Sequence, residues 1–194
     1  KRAELKRTIL NEALDCFLKY GIETTNIDMI RARAETSVGA IYHHFKNKEG
    51  IVQTLYLSAL QDQAQRREQA LLHVQSLEEA IQAIVSSYID WVVDFPDFAR
   101  FLYMSAALVN RNDEDLELKH TNQLRNQEFM KRMQCFADTE KMKNIPPELL
   151  LSLMIGATES YCRAWLSGKV KATPKVYQAA LAHAAWCSLE SVYQ

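Results

Sequence analysis

The chain has 194 residues, 48% of them hydrophobic, with five glycines, four prolines and a formal net charge of −1. So neutral a balance excludes a protein that coats itself with nucleic acid over its whole surface, while the length allows one large or two small domains with ample core. With no apolar run long enough to span a bilayer and no signal-peptide pattern, a cytoplasmic protein with no membrane partner is expected.

The charge is unevenly placed: residues 1–50 carry nine Lys/Arg against seven Asp/Glu, and the remainder fourteen against seventeen. Lys1, Arg2, Lys6 and Arg7 gather where a first helix can lie along a phosphate backbone. That helix is predicted from about Ala3 to Tyr20, because Leu5, Ile9, Ala13, Phe17 and Tyr20 recur on one face and Gly21 can end it in the left-handed conformation. Thr25 and Asn26 are N-cap candidates for a short helix with Ile27, Ile30 and Ala34 on one side. Glu35-Thr36-Ser37 interrupts it, Ser37 caps a second short helix, and Val38, Ile41 and Phe45 again share a face.

Two short helices joined this tightly cross steeply and read as a helix-turn-helix. The second helix of such a motif enters the major groove N-terminus first, and Gly39 and Ala40 would present almost no side chain there. Tyr42, His43, His44, Lys46 and Lys48 then place a hydroxyl, two imidazoles and two ammoniums within a few residues, a concentration of phosphate-directed donors. Tyr42-His43-His44-Phe45-Lys46-Asn47-Lys48, after a capped helix and a Thr-Ser turn, resembles the TetR family of bacterial helix-turn-helix regulators. The resemblance implies that Tyr42 and Lys48 hold DNA phosphates and that Ser37, Gly39, Ala40, His43 and His44 face the groove or its rim. Asn26 and Lys46 complete the expected DNA-binding set. The chain departs from the family pattern at Glu35, where Gly is usual, and at Arg31, where Ala is usual; Glu35 must tolerate any left-handed conformation there.

A long helix is expected from Lys48, capped by Asn47, to about His73. Ser76-Leu-Glu-Glu79 is a capping box opening a helix that reaches Phe95, and Pro96 starts another to about Leu108. After a polar, acidic connection at 110–115 come a helix at about 116–136 and a loop at 137–144. Pro146-Pro147 then starts an apolar helix to Leu166, and Thr173-Pro174 opens the last one, to about Tyr193. The fold class is therefore all-α, with about nine helices. Residues 1–47 form an N-terminal three-helix helix-turn-helix domain, and residues 48–194 a helical effector-binding and dimerisation domain.

Gly156, Ser160 and Ala164 follow one another at four-residue spacing, and the last helix is rich in Ala, so both present small-residue surfaces where helices can approach closely. One reading head sees only a half-site, so a DNA reader is expected to dimerise, and the resemblance implies a four-helix bundle of the last two helices of each subunit. Leu153, Ala157, Ser160 and Ala164 on one helix, with Leu181, Ala184, Ala185 and Ser188 on the other, are the expected interface. The resemblance also implies a small-molecule pocket in this half. Its candidates are the large groups Tyr88, Trp91, Phe101, Tyr103 and Met104, joined by Phe129, Met133, Thr158, Tyr161 and Trp165.

No enzyme is expected, since no zinc-protease, phosphate-loop or nucleophile-elbow motif occurs, and no cofactor or metal is implied. Cys16, Cys135, Cys162 and Cys187 form no C-x-x-C pair and read as reduced core thiols. The function expected is a ligand-responsive regulator, a repressor released from double-stranded operator DNA by a small-molecule effector and acting as a homodimer. Two alternatives stand beside it: a metal- or redox-responsive regulator using His183 and Cys187, or a helical adaptor that does not bind DNA.

Overall fold

The computed structural model describes residues 2–111, 127, 129–133, 136 and 145–190, and no strand occurs among them. The helices are α1 (Arg2–Tyr20), α2 (Ile27–Arg33), α3 (Val38–Phe45), α4 (Lys48–Ala70), α5 (Leu77–Asp94) and α6 (Pro96–Arg111). They are followed by α7 (Pro147–Leu166), a 3-10 turn (Pro174–Tyr177) and α8 (Gln178–Glu190). Of the helix expected at 116–136, Gln127 and residues 129–133 are helical. Phe136, expected to end it, is described and is not helical; the rest of it, the acidic segment at 112–115, the loop at 137–144 and the end of the last helix lie outside the described residues.

Local chemistry sets most boundaries. Gly21 ends α1 at φ +87°, and its N–H donates to Phe17 O at 2.9 Å. Asn26 Oδ1 accepts from Met29 N at 3.0 Å, capping α2, and Ser37 Oγ accepts from Ala40 N at 3.1 Å, capping α3. Half of the expected capping box is made, with Ser76 Oγ accepting from Glu79 N, while the Glu79 carboxylate accepts from Gln75 N, one residue before the cap. Thr173 behaves differently from expectation: its hydroxyl makes no cap hydrogen bond, and Pro174 opens a 3-10 turn before α8 becomes regular. Two other ends move, α4 stopping at Ala70 and α6 continuing to Arg111.

The chain groups into two compact units, Lys1–Gln61 with Asp97–Asp115, and Asp62–Pro96 with Leu116–Gln194. In the first, Ile9, Phe17, Ile30, Ile41 and Ile51 are fully buried, so the apolar stripes of α1 to α4 share one core. α6 contributes Phe101, whose ring stacks on Phe17 at 5.8 Å. Burying a phenylalanine is worth roughly 2–3 kcal/mol, so α6 adds substantially to a three-helix unit too small for a core of its own. Arg33 ties α2 to α1 through Glu12 at 2.9 Å and Asp15 at 3.2 Å.

In the second unit α5 is the central helix, and α7 and α8 pack on it and on each other. Its buried Trp91 donates through Nε1 to Asp62 at 2.8 Å, satisfying the indole N–H inside the core. Arg66 binds Asp94 at 2.8 Å, and this hydrogen bond holds the Asp94 carboxyl below its ordinary value. Among the described residues no helix is long and apolar enough to cross a membrane.

Candidate nucleic-acid interface

The helix-turn-helix is assembled at two tight corners. Between α2 and α3, Glu35 adopts φ +47°, so the left-handed turn position is real although no glycine fills it. Between α3 and α4, Lys46 stands at φ +63°, and Asn47 N donates to Phe45 O at 2.7 Å. Gly50 completes this corner: a Cβ there would lie 2.0 Å from Phe45 O, so only glycine lets α4 start so close to the end of α3. Asn47 Oδ1 accepts from Gly50 N at 2.8 Å, capping α4.

With Ile41 and Phe45 buried, the opposite face of α3 is turned outward. Gly39, Tyr42, His43 and Lys46 follow one another at helical spacing on that face and all are exposed. Tyr42 is 49% exposed, and a Cβ on Gly39 would meet nothing nearer than Ser37 Oγ at 3.9 Å. Packing therefore does not require glycine at 39. Ala40 and His44 flank the stripe, half-buried.

The N-terminal basic cluster reaches this face, which the sequence alone suggested only as an arm along DNA. Arg2 donates to His43 Nε2 at 2.8 Å, and Lys6 lies over the Phe45 ring at 5.8 Å. Partial burial, then the charges of His43, Arg2 and Lys6, push the His44 imidazole below its ordinary value. Arg31 pairs with Asp28 on its own helix at 3.4 Å.

Three expected DNA contacts have other work. Asn26 and Ser37 spend a side-chain oxygen on helix caps. Lys48 departs furthest from expectation: its ammonium donates to Ile22 O at 2.8 Å, Glu23 O at 3.1 Å and Thr25 O at 2.9 Å. Three donors meet three acceptors, which leaves none for a phosphate oxygen in this conformation. Lys48 is thus engaged by carbonyls that lie far from it in sequence.

The ten expected ligand residues are divided between the two units. Phe101, Tyr103 and Met104 belong to the first unit and the other seven to the second. Tyr88, Trp91, Phe101, Phe129 and Met133 are buried as packing groups. Thr158 is also buried, and its hydroxyl has no hydrogen-bond partner among the described residues. Tyr161 and Trp165 are half-buried. Tyr161 donates to Ala172 O at 2.9 Å and borders an open cleft of about 600 Å³ with Tyr177, Ala180 and Leu181.

Of the expected interface residues, Ala157, Ser160 and Ala184 are exposed, while Leu153, Ala164, Leu181 and Ser188 are half-buried. Ala185 is 4% exposed and points into its own protomer, one helical position away from the outward face. Cys16 and Cys162 are buried free thiols, and burial pushes Cys162 up to about 12. Cys187 is the correction to the expectation of core thiols: it is exposed, with Sγ 3.5 Å from His183 Nε2, because it shares the outward face of α8. Cys135 lies outside the described residues. Among the described residues of one chain, no group of three His, Cys, Asp or Glu is placed to hold a metal ion.

Residues 9–55 match the family described as bacterial regulatory proteins, tetR family. The chain is 30% identical over 66 residues to the HTH-type transcriptional regulator YhgD of Bacillus subtilis, covering 34% of this chain and 35% of that protein. It is 30% identical over 90 residues to the TetC protein of transposon Tn10 from Escherichia coli, covering 45% and 44%. The matched stretch thus spans less than half the length of either relative. The solved structures reach further. A TetR family transcription regulator from Marinobacter aquaeolei superimposes with a TM-score of 0.77 at 15% identity over 96% of both chains. A TetR-like regulator from Rhodococcus gives 0.70 at 20% identity over 98% of both. FadR of Bacillus subtilis in complex with stearoyl-CoA gives 0.70 at 14% identity over 93% of this chain and 97% of that one. At these identities the likeness is one of fold.

Proposed function

We propose, starting from this chain's membership of the TetR family through its N-terminal domain and its all-helical fold, that it is a homodimeric repressor whose affinity for operator DNA is lowered by a small molecule. The observation that carries the DNA-reading part is the outward stripe of α3, where Gly39 leaves room for base edges while Tyr42, His43 and Lys46 offer hydrogen-bonding groups to the groove and its phosphates. Residues 1–47 are the reading domain and residues 48–194 serve dimerisation and the effector. Such a protein acts in the cytoplasm, where its DNA is.

Dimerisation is supported by the exposed small residues of α7 and α8, Ala157, Ser160 and Ala184, which let the helices of a second copy approach. Two heads then read half-sites about 34 Å apart. That FadR binds stearoyl-CoA on a similar fold supports a small-molecule effector here; the chemical class of that effector is left open. The buried hydroxyl of Thr158, unpartnered among the described residues, supports a polar contact to such a molecule within the second unit.

α4 supplies a route between DNA and effector, since this unbroken helix starts at the reading head and its residues from 62 onward belong to the second unit. An effector lowers DNA affinity only by binding more tightly to the conformation that fits the half-sites less well, so the coupling is reciprocal. The test begins with selection of genomic fragments by the purified protein, followed by effector titration with and without the selected operator. Operator should weaken effector binding by the same factor by which effector weakens operator binding. Equal effector affinity in both titrations would leave a DNA-binding dimer without this switch, and recovery of no preferred fragment by a folded dimer would favour the adaptor reading.

A further inference from the structure

We propose that Lys48 is a positioning residue that bolts the start of α4 to the loop between α1 and α2, and so holds the reading head in register with the long helix, rather than a phosphate contact. The inference rests on the DNA-reading proposal above and deepens it.

The loop at residues 21–26 contains the end of one helix and the start of the next. Gly21 stops α1 in the left-handed conformation, and the Thr25 hydroxyl turns back onto Gly21 O at 2.7 Å and Cys16 O at 3.2 Å. This leaves the carbonyls of Ile22, Glu23 and Thr25 converging on one point near the negative end of the α1 dipole. A tetrahedral ammonium offers three diverging N–H groups to such a cup. Lys48 fills it at 2.8, 3.1 and 2.9 Å, with its stem half-buried beside the core residues Ile22 and Val52.

The other attachment of α4 to the head is equally tight: Asn47 caps its first turn, and Gly50 passes against Phe45 O. α4 is therefore fixed to α3 through the backbone corner and to the entry of α2 through Lys48. A displacement of α4 must carry both helices of the motif with it. Without the bolt, the α2 end of the motif is released while the α3 end stays attached, and the angle at which α3 is presented is no longer set by α4.

Lysine and arginine separate this role from phosphate binding. A guanidinium is a planar fork that suits a phosphate well, but it is bulkier and fans its donors out in one plane, so it matches a cup of three carbonyls converging on one point poorly. The measurement is affinity for an operator fragment selected by the wild-type dimer, and for a random duplex of equal length, over a series of salt concentrations, with Lys48→Met and Lys48→Arg. The bolt predicts that both variants lose about tenfold in operator affinity while random-duplex binding and the salt slope stay at wild-type values. It also predicts faster amide exchange at residues 23–25 in both variants.

A phosphate contact predicts instead that Lys48→Arg binds like wild type and that Lys48→Met weakens both duplexes, with a slope shallower by about 0.9. That result overturns the proposal. Wild-type operator affinity in both folded variants overturns it too, reducing the contact to a stabilising one. Should Lys48→Met fail to fold, Lys48→Arg decides alone. A wild-type protein that prefers no sequence refutes the DNA-reading premise itself, an outcome distinct from a failed bolt, in which wild-type specificity stays intact.

Discussion

The outward stripe of α3 and the outward stripe of α8 are both left uncovered by the protomer, at the same helical spacing, and they differ in chemistry. On α3 the stripe is Gly39, Tyr42, His43 and Lys46, with Arg2 at its edge; on α8 it is Ala180, His183, Ala184 and Cys187. The first combines one bare position with long polar groups able to reach a polyanion. The second is almost flat and carries no Lys, Arg, Asp or Glu, which suits the close approach of another helix. Exposure alone therefore does not distinguish a binding face. The length and charge of the exposed side chains differ between the two faces, and under the proposed function the first meets DNA and the second another copy of the chain.

The largest effect should come from spoiling the flat face. Ala157→Glu and Ala184→Glu place a carboxylate on a residue that is exposed in the protomer, so the fold of one chain should survive. Burying that charge between two copies costs several kcal/mol, and sedimentation should show monomers whose operator affinity has fallen about a hundredfold or more. Intact dimers for both variants would move the interface elsewhere.

Filling the bare position on α3 should come next. A Cβ at position 39 meets nothing nearer than Ser37 Oγ at 3.9 Å, so the fold should accept Gly39→Leu, and replacing glycine within a helix adds up to about 1 kcal/mol of stability. Operator affinity should nevertheless drop about ten- to a hundredfold, because the new side chain occupies the space needed for base edges. A variant that melts higher and still binds normally would show that α3 does not enter the groove with this face.

Smaller changes separate the polar groups of the stripe. Lys46→Ala should weaken all sequences alike, by a few-fold, and make the salt dependence shallower by about 0.9. An unchanged slope would remove Lys46 from the phosphate contacts.

The smallest effect should be a pH dependence at His44. Its folded-state value lies below the ordinary one through partial burial and the charges of His43, Arg2 and Lys6. Because the charged imidazole is disfavoured in the free fold, its contribution to stability is present above about pH 6.5 and lost as the pH falls below that value. DNA phosphates act in the opposite sense and favour protonation. Binding should therefore take up a proton, and operator affinity should rise a few-fold as the pH falls from about 8 to about 6. His44→Gln should flatten that rise; a profile identical to wild type would place His44 away from the phosphates.

Most of the helices and their caps were legible in the sequence because they depend on neighbours within a few residues. Asn26, Ser37 and Ser76 cap the helices they precede, Gly21 ends α1, and the stripes of Ile9, Phe17, Ile30 and Ile41 are buried as their periodicity requires. The outward stripe of α3 was legible for the same reason, since burying Ile41 and Phe45 fixes what faces away. What tertiary structure decided were contacts between residues distant along the chain. Nothing around residue 48 reveals that the carbonyls of residues 22, 23 and 25 converge beside it, nor does α1 reveal that Phe17 will stack on Phe101. On α8, periodicity shows that one face is buried, but an alanine-rich helix has too little contrast to say which. Packing on α5 and α7 turned Ala185 inward and left Cys187 outside.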